Sequence, residues 1–278
     1  MAIITDFIAG RSPPDLYDAY LTPLFETWMD VLVELTPPSG TVIDIACGTG
    51  IVSRKLAASA GVDHVDAIDV APPMIAKAQS LTPSDAAIRF HVASADALPF
   101  DDNQFSSAFC QQGLQFFPNK VDAVREAARV TAPGGKLTFA IWTAADDGNP
   151  AFGALEQIIA EELGDDLIPF GPFSYGDAAQ IEHVAREAGL DRISVKRFER
   201  QAPLPDPRTL VLFDLLFLGR PGPDGALQPL FDPNDAAMDA VIETLIAKYE
   251  RSVSGFLQAD GTLLAPSAAH ILVGEVAG

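Results

Sequence analysis

Two carboxylates stand where this chain could grip a nucleoside. Asp44 falls inside the apolar run Val42-Ile43-Asp44-Ile45, just ahead of the small-residue turn Ala46-Cys47-Gly48-Thr49-Gly50. Asp69 ends a second apolar run, His64-Val65-Asp66-Ala67-Ile68-Asp69, nineteen residues past Gly50. Between them, Ile51 to Ala60 carries a helical pattern. Strand, tight turn, helix and acid-tipped strand make the layout of a nucleoside-binding βαβ unit. The glycines let backbone approach a ligand closely. The acid at the tip of the second strand can accept hydrogen bonds from both ribose hydroxyls.

The kind of nucleoside turns on Asp44 and Ser53. A nicotinamide dinucleotide calls for G-x-G-x-x-G/A, whose third small residue packs helix on strand while a pyrophosphate rests on the helix N-terminus. Here the third position is Ser53, small but an imperfect match. A carboxylate at Asp44 would repel pyrophosphate, yet it suits a ligand presenting an ammonium group. S-adenosylmethionine (SAM) carries an ammonium, a sulfonium and no phosphate, so the acid favours SAM over NAD(P).

With these residues in view, the chain resembles the class I SAM-dependent methyltransferases, in particular the subgroup similar to ubiquinone/menaquinone-biosynthesis methyltransferases. Asp44 to Gly50 resembles the family's first motif, and Ala67-Ile68-Asp69-Val70 followed by Met74 its second. Ala95-Asp96-Ala97-Leu98-Pro99-Phe100 resembles the third, Phe105 to Pro118 the fourth strand and its loop, and Ala132-Pro133-Gly134-Gly135-Lys136-Leu137 the turn into the fifth strand. These matches span residues 40–142 in the family's order. One departure is Ser106, where the family usually has an aspartate; it lies far from the cofactor end of its strand.

The resemblance implies an α/β fold, a Rossmann-like, mostly parallel seven-stranded sheet in the order 3-2-1-4-5-7-6, the last strand antiparallel, with helices on both faces and a helical lid. It implies S-adenosyl-L-methionine as cofactor and S-adenosyl-L-homocysteine (SAH) as product. Asp44 would help hold the methionine ammonium, partly through water, with Ala46, Cys47, Gly48 and Gly50 supplying backbone. Asp69 would take the ribose, Val70 and Met74 the adenine ring, and Asp96 with Ser94 and Ala97 the adenine edge. A backbone carbonyl near Gln111 would meet the methionine portion. Gln112 and Gln115 in the same loop, and Tyr17 and Tyr20 in the N-terminal helix, are substrate-side candidates. The acceptor would lie against a lid of residues 11–36, 146–176 and 207–263. Phe152, Phe170, Phe173, Phe213, Phe217, Phe231 and Phe256 make that lid aromatic, which suits a small or medium apolar acceptor. Phe170 and Phe173 are the leading lid contacts. No residue is marked as a general base, and whether O, N or C is methylated stays open.

Composition narrows the partners. With 48% hydrophobic and 20% charged residues, a 278-residue chain can bury a full core, and one domain with sizeable insertions is expected. Thirty-eight acids against 18 bases give a formal charge of −20, which disfavours nucleic acid as a substrate. No apolar run of spanning length occurs, and the N-terminus lacks the pattern of a signal peptide. Two cysteines without metal-type spacing suggest a reducing cytoplasm and no metal site. Cys47 and Cys110 would fall at the ends of neighbouring strands, most simply as inert packing.

Apolar spacing sets the elements. Leu16, Tyr20, Leu24, Trp28, Leu32 and Leu35 give a helix over 12–36, which Pro23 should kink or divide. Strands at 41–46, 64–69, 88–93, 105–110 and 135–142 alternate with helices at 50–60, 72–80 and 119–131, the pattern of a parallel sheet. Helices at 151–163 and 177–188, a strand at 191–200 and a final strand at 268–276 follow. The 207–263 segment holds an apolar helix over 210–218, a break over 219–225, and an amphipathic helix capped by Asp232-Pro233. That apolar stretch is the candidate face if the chain is a homodimer rather than a monomer. His64, His91, His183 and His270 are scattered, and neither His91 nor His270 has an evident acidic partner. Two other classes stay open: a SAM-fold protein with non-methylating chemistry or a non-catalytic role, and, less favoured, an NAD(P)-dependent oxidoreductase.

Overall fold

The computed structural model describes residues 3–164, 171–217, 219–221, 227–229 and 238–278. The chain divides into two compact units. A sheet unit holds residues 25–143, 175–198 and 268–278, and a helical unit holds 1–24, 144–174 and 199–267.

In the sheet unit, strands β1 (Gly40–Ile45), β2 (Val62–Asp69), β3 (Ile88–Val92), β4 (Phe105–Gln111) and β5 (Thr131–Trp142) run parallel. Strand β9 (Leu263–Val276) pairs antiparallel with β5, and β6 (Leu190–Leu204) completes the order β3-β2-β1-β4-β5-β9-β6. This is the expected 3-2-1-4-5-7-6 topology. Period-two alternation explains why both faces are covered. Ile43, Ile45, Ile68, Leu137, Phe139 and Ile141 face helices α5 (Lys120–Val130) and α7 (Ala178–Glu187), meeting Val124, Ala127, Ile181 and Ala185. The opposite face holds Ala67 with Ile75 of α4 (Pro72–Leu81), and Trp142, which packs edge-on against Trp28. Trp28 belongs to α2 (Pro13–Leu35).

Helix α2 runs through Pro23 undivided. One lost hydrogen bond is outweighed by the buried stripe on either side of it, Leu16 and Leu24 before, Trp28 and Leu32 after. Ser106 donates to the carbonyls of Ser39 and Thr41, at the start of β1, consistent with a local role.

The helical unit corrects several expectations. A short helix α1 (Ile3–Ile8) precedes α2, its first amide donating to Asp239, a contact no local pattern announces. Helices α6 (Pro150–Leu163), α8 (Pro207–Phe217) and α9 (Asp239–Ser252) follow the expected segments. The break after α8 instead contains a small antiparallel ladder, β7 (Gly219–Pro221) with β8 (Leu227–Pro229). The proposed cap Asp232-Pro233 lies outside the described residues. Leu210, Val211, Leu212, Phe213 and Leu215 of α8 are all buried within the chain, so that stretch is core and not a free dimer face. Among the described residues no helix is long and apolar enough to cross a membrane, and no group of His, Cys, Asp and Glu is arranged to hold a metal ion.

Candidate functional site

The turn after β1 is built around Asp44. Helix α3 (Ile51–Ala57) starts at Gly50 without a side-chain cap of its own. Asp44, only 1% exposed, supplies one from the strand: its carboxylate accepts the Ser53 hydroxyl at 2.5 Å and a Ser53 backbone bond as well. Ser53 thus serves as the partner of Asp44, a pairing that reading it against a dinucleotide fingerprint missed. Burial pushes the Asp44 carboxyl up to about 7; the Ser53 bonds oppose that shift, the Asp69 charge adds to it, and Arg54 opposes it weakly. Arg54 itself donates to the Thr49 carbonyl at 2.7 Å. Gly50 is required here: φ is +79°, and a Cβ would meet Phe90 at 3.1 Å and Ala78 at 3.2 Å.

Asp69, half-buried at the tip of β2, ties two turns together. Its carboxylate accepts the Gly48 amide at 2.9 Å and the Ala71 amide at 2.9 Å. Burial raises its pKa while the backbone bonds hold it down. Next to it Val70 is 69% exposed, a flat apolar surface beside an acid, and Met74 is half-buried one turn into α4. Asp96 is exposed and accepts the Ser94 hydroxyl, with Ala97 exposed beside it. This loop is clamped from α5. Glu126 accepts the Leu98 amide at 2.9 Å, and Arg129 donates to the carbonyls of Leu98 and Phe100 at 3.0 and 2.9 Å. Arg129 and Glu126 also pair with each other. Neither was singled out from sequence, because a charged i, i+3 pair on a helix reads as solvated surface.

The loop after β4 lies against the first turn. Gly113 packs so closely that a Cβ there would come within 2.7 Å of the Ala46 methyl and 2.8 Å of the Cys110 sulfur. Gln111 donates to the Phe25 carbonyl at 3.1 Å. Gln112 holds a left-handed backbone, φ +54°, and its amide donates to the Ala140 carbonyl at 2.9 Å. Gln112 and Gln115 are 5% and 6% exposed, and all four of their side-chain polar atoms are buried without a protein partner. Cys47 and Cys110 are free, buried thiols whose pKa values burial raises, which makes them inert packing. His91 does find an acid: its Nε2 lies 2.7 Å from Asp66, across the β2–β3 pair.

The remaining candidates belong to the helical unit. Tyr20 stacks on Phe7 with ring centres 5.7 Å apart, meets Phe213 edge-on, and accepts from Arg11 at 2.5 Å. Tyr17 is half-buried on the same helix. Phe173 is buried against Phe152, ring centres 4.8 Å apart. Both line a cavity of about 20 Å³ with Glu156 and Asp214, and Phe173 and Glu156 also border a more open cleft of about 330 Å³ with Asp146 and Gln157. Phe170 lies outside the described residues.

The residues along this edge of the sheet suit a SAM-type ligand. Acids stand at or just past the ends of successive strands, and the Arg54 guanidinium is engaged with a backbone carbonyl. Comparison with known proteins agrees. A family profile described as "Methyltransferase domain" matches residues 43–139. A 2-methyl-6-phytyl-1,4-hydroquinone methyltransferase of Synechocystis is 34% identical over 133 residues, 48% of this chain and 42% of that protein. A ubiquinone biosynthesis O-methyltransferase of Xanthomonas axonopodis is 30% identical over 166 residues, 58% of this chain and 66% of the relative. Across several such relatives, matches span half their length or less, for example 42% and 49%. Among solved structures, a phosphoethanolamine N-methyltransferase of Haemonchus contortus in complex with S-adenosyl-L-methionine superposes with a TM-score of 0.59 at 16% identity, covering 100% of this chain and 61% of the other, which speaks to the fold. Residues 43–139 carry a methyltransferase domain, and the chain has the fold of the class I SAM-dependent methyltransferases, with S-adenosyl-L-methionine as cofactor.

Proposed function

We propose that the protein transfers the methyl group of SAM to a small or medium apolar acceptor, and that its cofactor is held by Asp44, Asp69 and Asp96 with the backbone of Ala46 to Gly50. The observation that carries this reading is the Asp69 carboxylate, presented at the tip of β2 by two backbone amides. Each carboxylate oxygen keeps a lone pair for a ribose hydroxyl. Val70 and Met74 offer apolar surface to the adenine, and Asp96 accepts from its amino group. Asp44 acts on the methionine ammonium through its charge and through water, being sealed from direct access. When bound, SAM supplies a methyl group already activated on a sulfonium. The protein's task is then to hold the acceptor in line and exclude water.

The relatives named for a hydroquinone and for ubiquinone biosynthesis support an acceptor with an apolar body. The test is calorimetry with SAH followed by transfer of labelled methyl to a panel of phenols, quinols and small carboxylic acids. Tight SAH binding with label in one class of product supports the reading. Absence of SAH binding, or binding with no labelled product, overturns it.

A further inference from the structure

We infer that Gln112 and Gln115 form a paired-amide cradle for an uncharged hydroxyl on the methyl acceptor, the kind of oxygen found in a phenol or enol. This rests on the proposed methyl transfer and names the acceptor chemistry within it. Two carboxamides, each more than nine-tenths buried, leave two NH₂ donors and two carbonyl acceptors without protein partners in one short loop. Buried amides are normally satisfied, because an unmet one forfeits its hydration. The backbone here is no slack segment in which the side chains could turn away. Gln112 is held at φ +54° with its amide on Ala140, and Gly113 is wedged against Ala46 and Cys110. The loop that carries them is therefore held beside the first turn, at the sheet edge where strand order reverses and ligands bind.

Charge selects the ligand. The carboxylates nearest this loop's packing partners are Asp44 and Asp69, both of which bear on Cys110. From Gln111 onward the first basic side chain is Lys120, and it is engaged, bonded to the Phe117 carbonyl at 3.0 Å and lying over the Tyr175 ring. The loop from Gln111 to Asn119 offers no basic side chain to an acceptor bearing a carboxylate or phosphate. An ammonium can be met by the two carbonyls but leaves both NH₂ groups unmet, and in the proposed function Asp44 and Asp69 are committed to the cofactor. A hydroxyl both donates and accepts, and so can use a carbonyl of one glutamine and an NH₂ of the other.

The test uses the full chain loaded with SAH and titrated with four probes of one shape: para-propylphenol, its methyl ether, para-propylbenzoate and para-propylbenzylamine. The phenol should bind about tenfold tighter than the other three. Q112L and Q115L should each abolish that preference, leave SAH affinity unchanged, and melt at or above the wild-type temperature, since each removes a buried unmet amide. A glutamine serving the fold would lower the melting temperature instead. Preference for the benzoate or benzylamine, or variants that bind the phenol as wild type does, would overturn the inference while leaving methyl transfer standing. Loss of SAH binding in both variants would also overturn it, by assigning the amides to the cofactor. Failure of the wild type to bind SAH would remove the methyl-transfer reading and this inference together.

Discussion

The sheet unit and the helical unit both hold carboxyls pushed up to about 7, and the reasons differ. In the sheet unit, Asp44 is buried yet bonded to the hydroxyl and backbone of Ser53, which fix its orientation at the start of α3. In the helical unit, Asp214 is raised by burial alone, and Glu156 by burial and then by the charges of Asp214 and Asp146. Among the described residues no hydrogen bond offsets either shift. An oriented acid can serve a binding site, whereas an unoriented one among apolar helices is a cost to the fold. The distinction shows in what each acid does when replaced.

The largest effect is expected at Asp69. D69N keeps the shape and removes the charge that two backbone amides and, in the proposed function, two ribose hydroxyls share. Hydrogen bonds to a charged group are worth about 1.5–3 kcal/mol each, so SAH should bind roughly 30-fold more weakly or worse. Calorimetry checks this, and an unchanged dissociation constant would remove Asp69 from the site.

The helical unit should respond in the opposite sense. A carboxyl whose folded pKa lies above its unfolded value resists ionising in the native state. Stability therefore falls as pH climbs from the unfolded value near 4 to the folded value near 7, and stays reduced above that. E156Q and D214N remove the loss. At about pH 8 each should be more stable than wild type by roughly 1–2 kcal/mol, the gain shrinking towards about pH 4. Urea unfolding at the two pH values decides. A loss of stability at the higher pH would mean these carboxyls have partners after all. Because the Asp214 charge is part of what raises Glu156, the double variant should gain less than the sum.

Asp44 connects the two behaviours. In the proposed function its anion attracts the cofactor's ammonium, and that anion forms as pH rises through about 7. SAH affinity should therefore increase up to about tenfold between about pH 6 and about pH 7.5, a range in which an α-amino group is still largely charged. D44N should bind weakly with a flat profile. A parallel rise in both proteins would assign the titration elsewhere.

How far the sequence could foretell these regions follows from the same physics. The β1 turn and the Asp69 tip were legible because a glycine turn between apolar strands is a local pattern with a fixed spacing. The seven-strand order followed from the family resemblance that these motifs carry. Ser53 as the partner of Asp44, and Arg129 reaching back to the Leu98–Phe100 loop, depend on where the chain returns in space, which spacing along a helix does not encode. His91 reaching Asp66 is likewise a cross-strand contact. In the helical unit the periodic helices were readable, while α1 and the β7–β8 ladder are short elements stabilised by distant partners such as Asp239. The acids Glu156 and Asp214 drew no notice because an acid in an apolar helix looks like its solvated face.

Ser106 gives the smallest effect and the sharpest control on where the site ends. Its hydroxyl donates to the carbonyls of Ser39 and Thr41, joining the start of β4 to the start of β1 at the opposite end of the strands from Asp44. The side chain is exposed, so water can replace it at those carbonyls, and a neutral hydrogen bond of this kind contributes about 0.5–1.5 kcal/mol. S106A should lower the unfolding free energy by roughly 0.5–1 kcal/mol and leave SAH binding within error of wild type. The aspartate usual in the family would face the same two carbonyls with an acceptor, so S106D should be slightly worse than S106A in stability and equally silent in binding. A change in SAH affinity from either variant would mean that strain at the base of β1 travels along the strand to the turn. The glycine turn would then owe its geometry to the whole strand and not to Asp44 and Ser53.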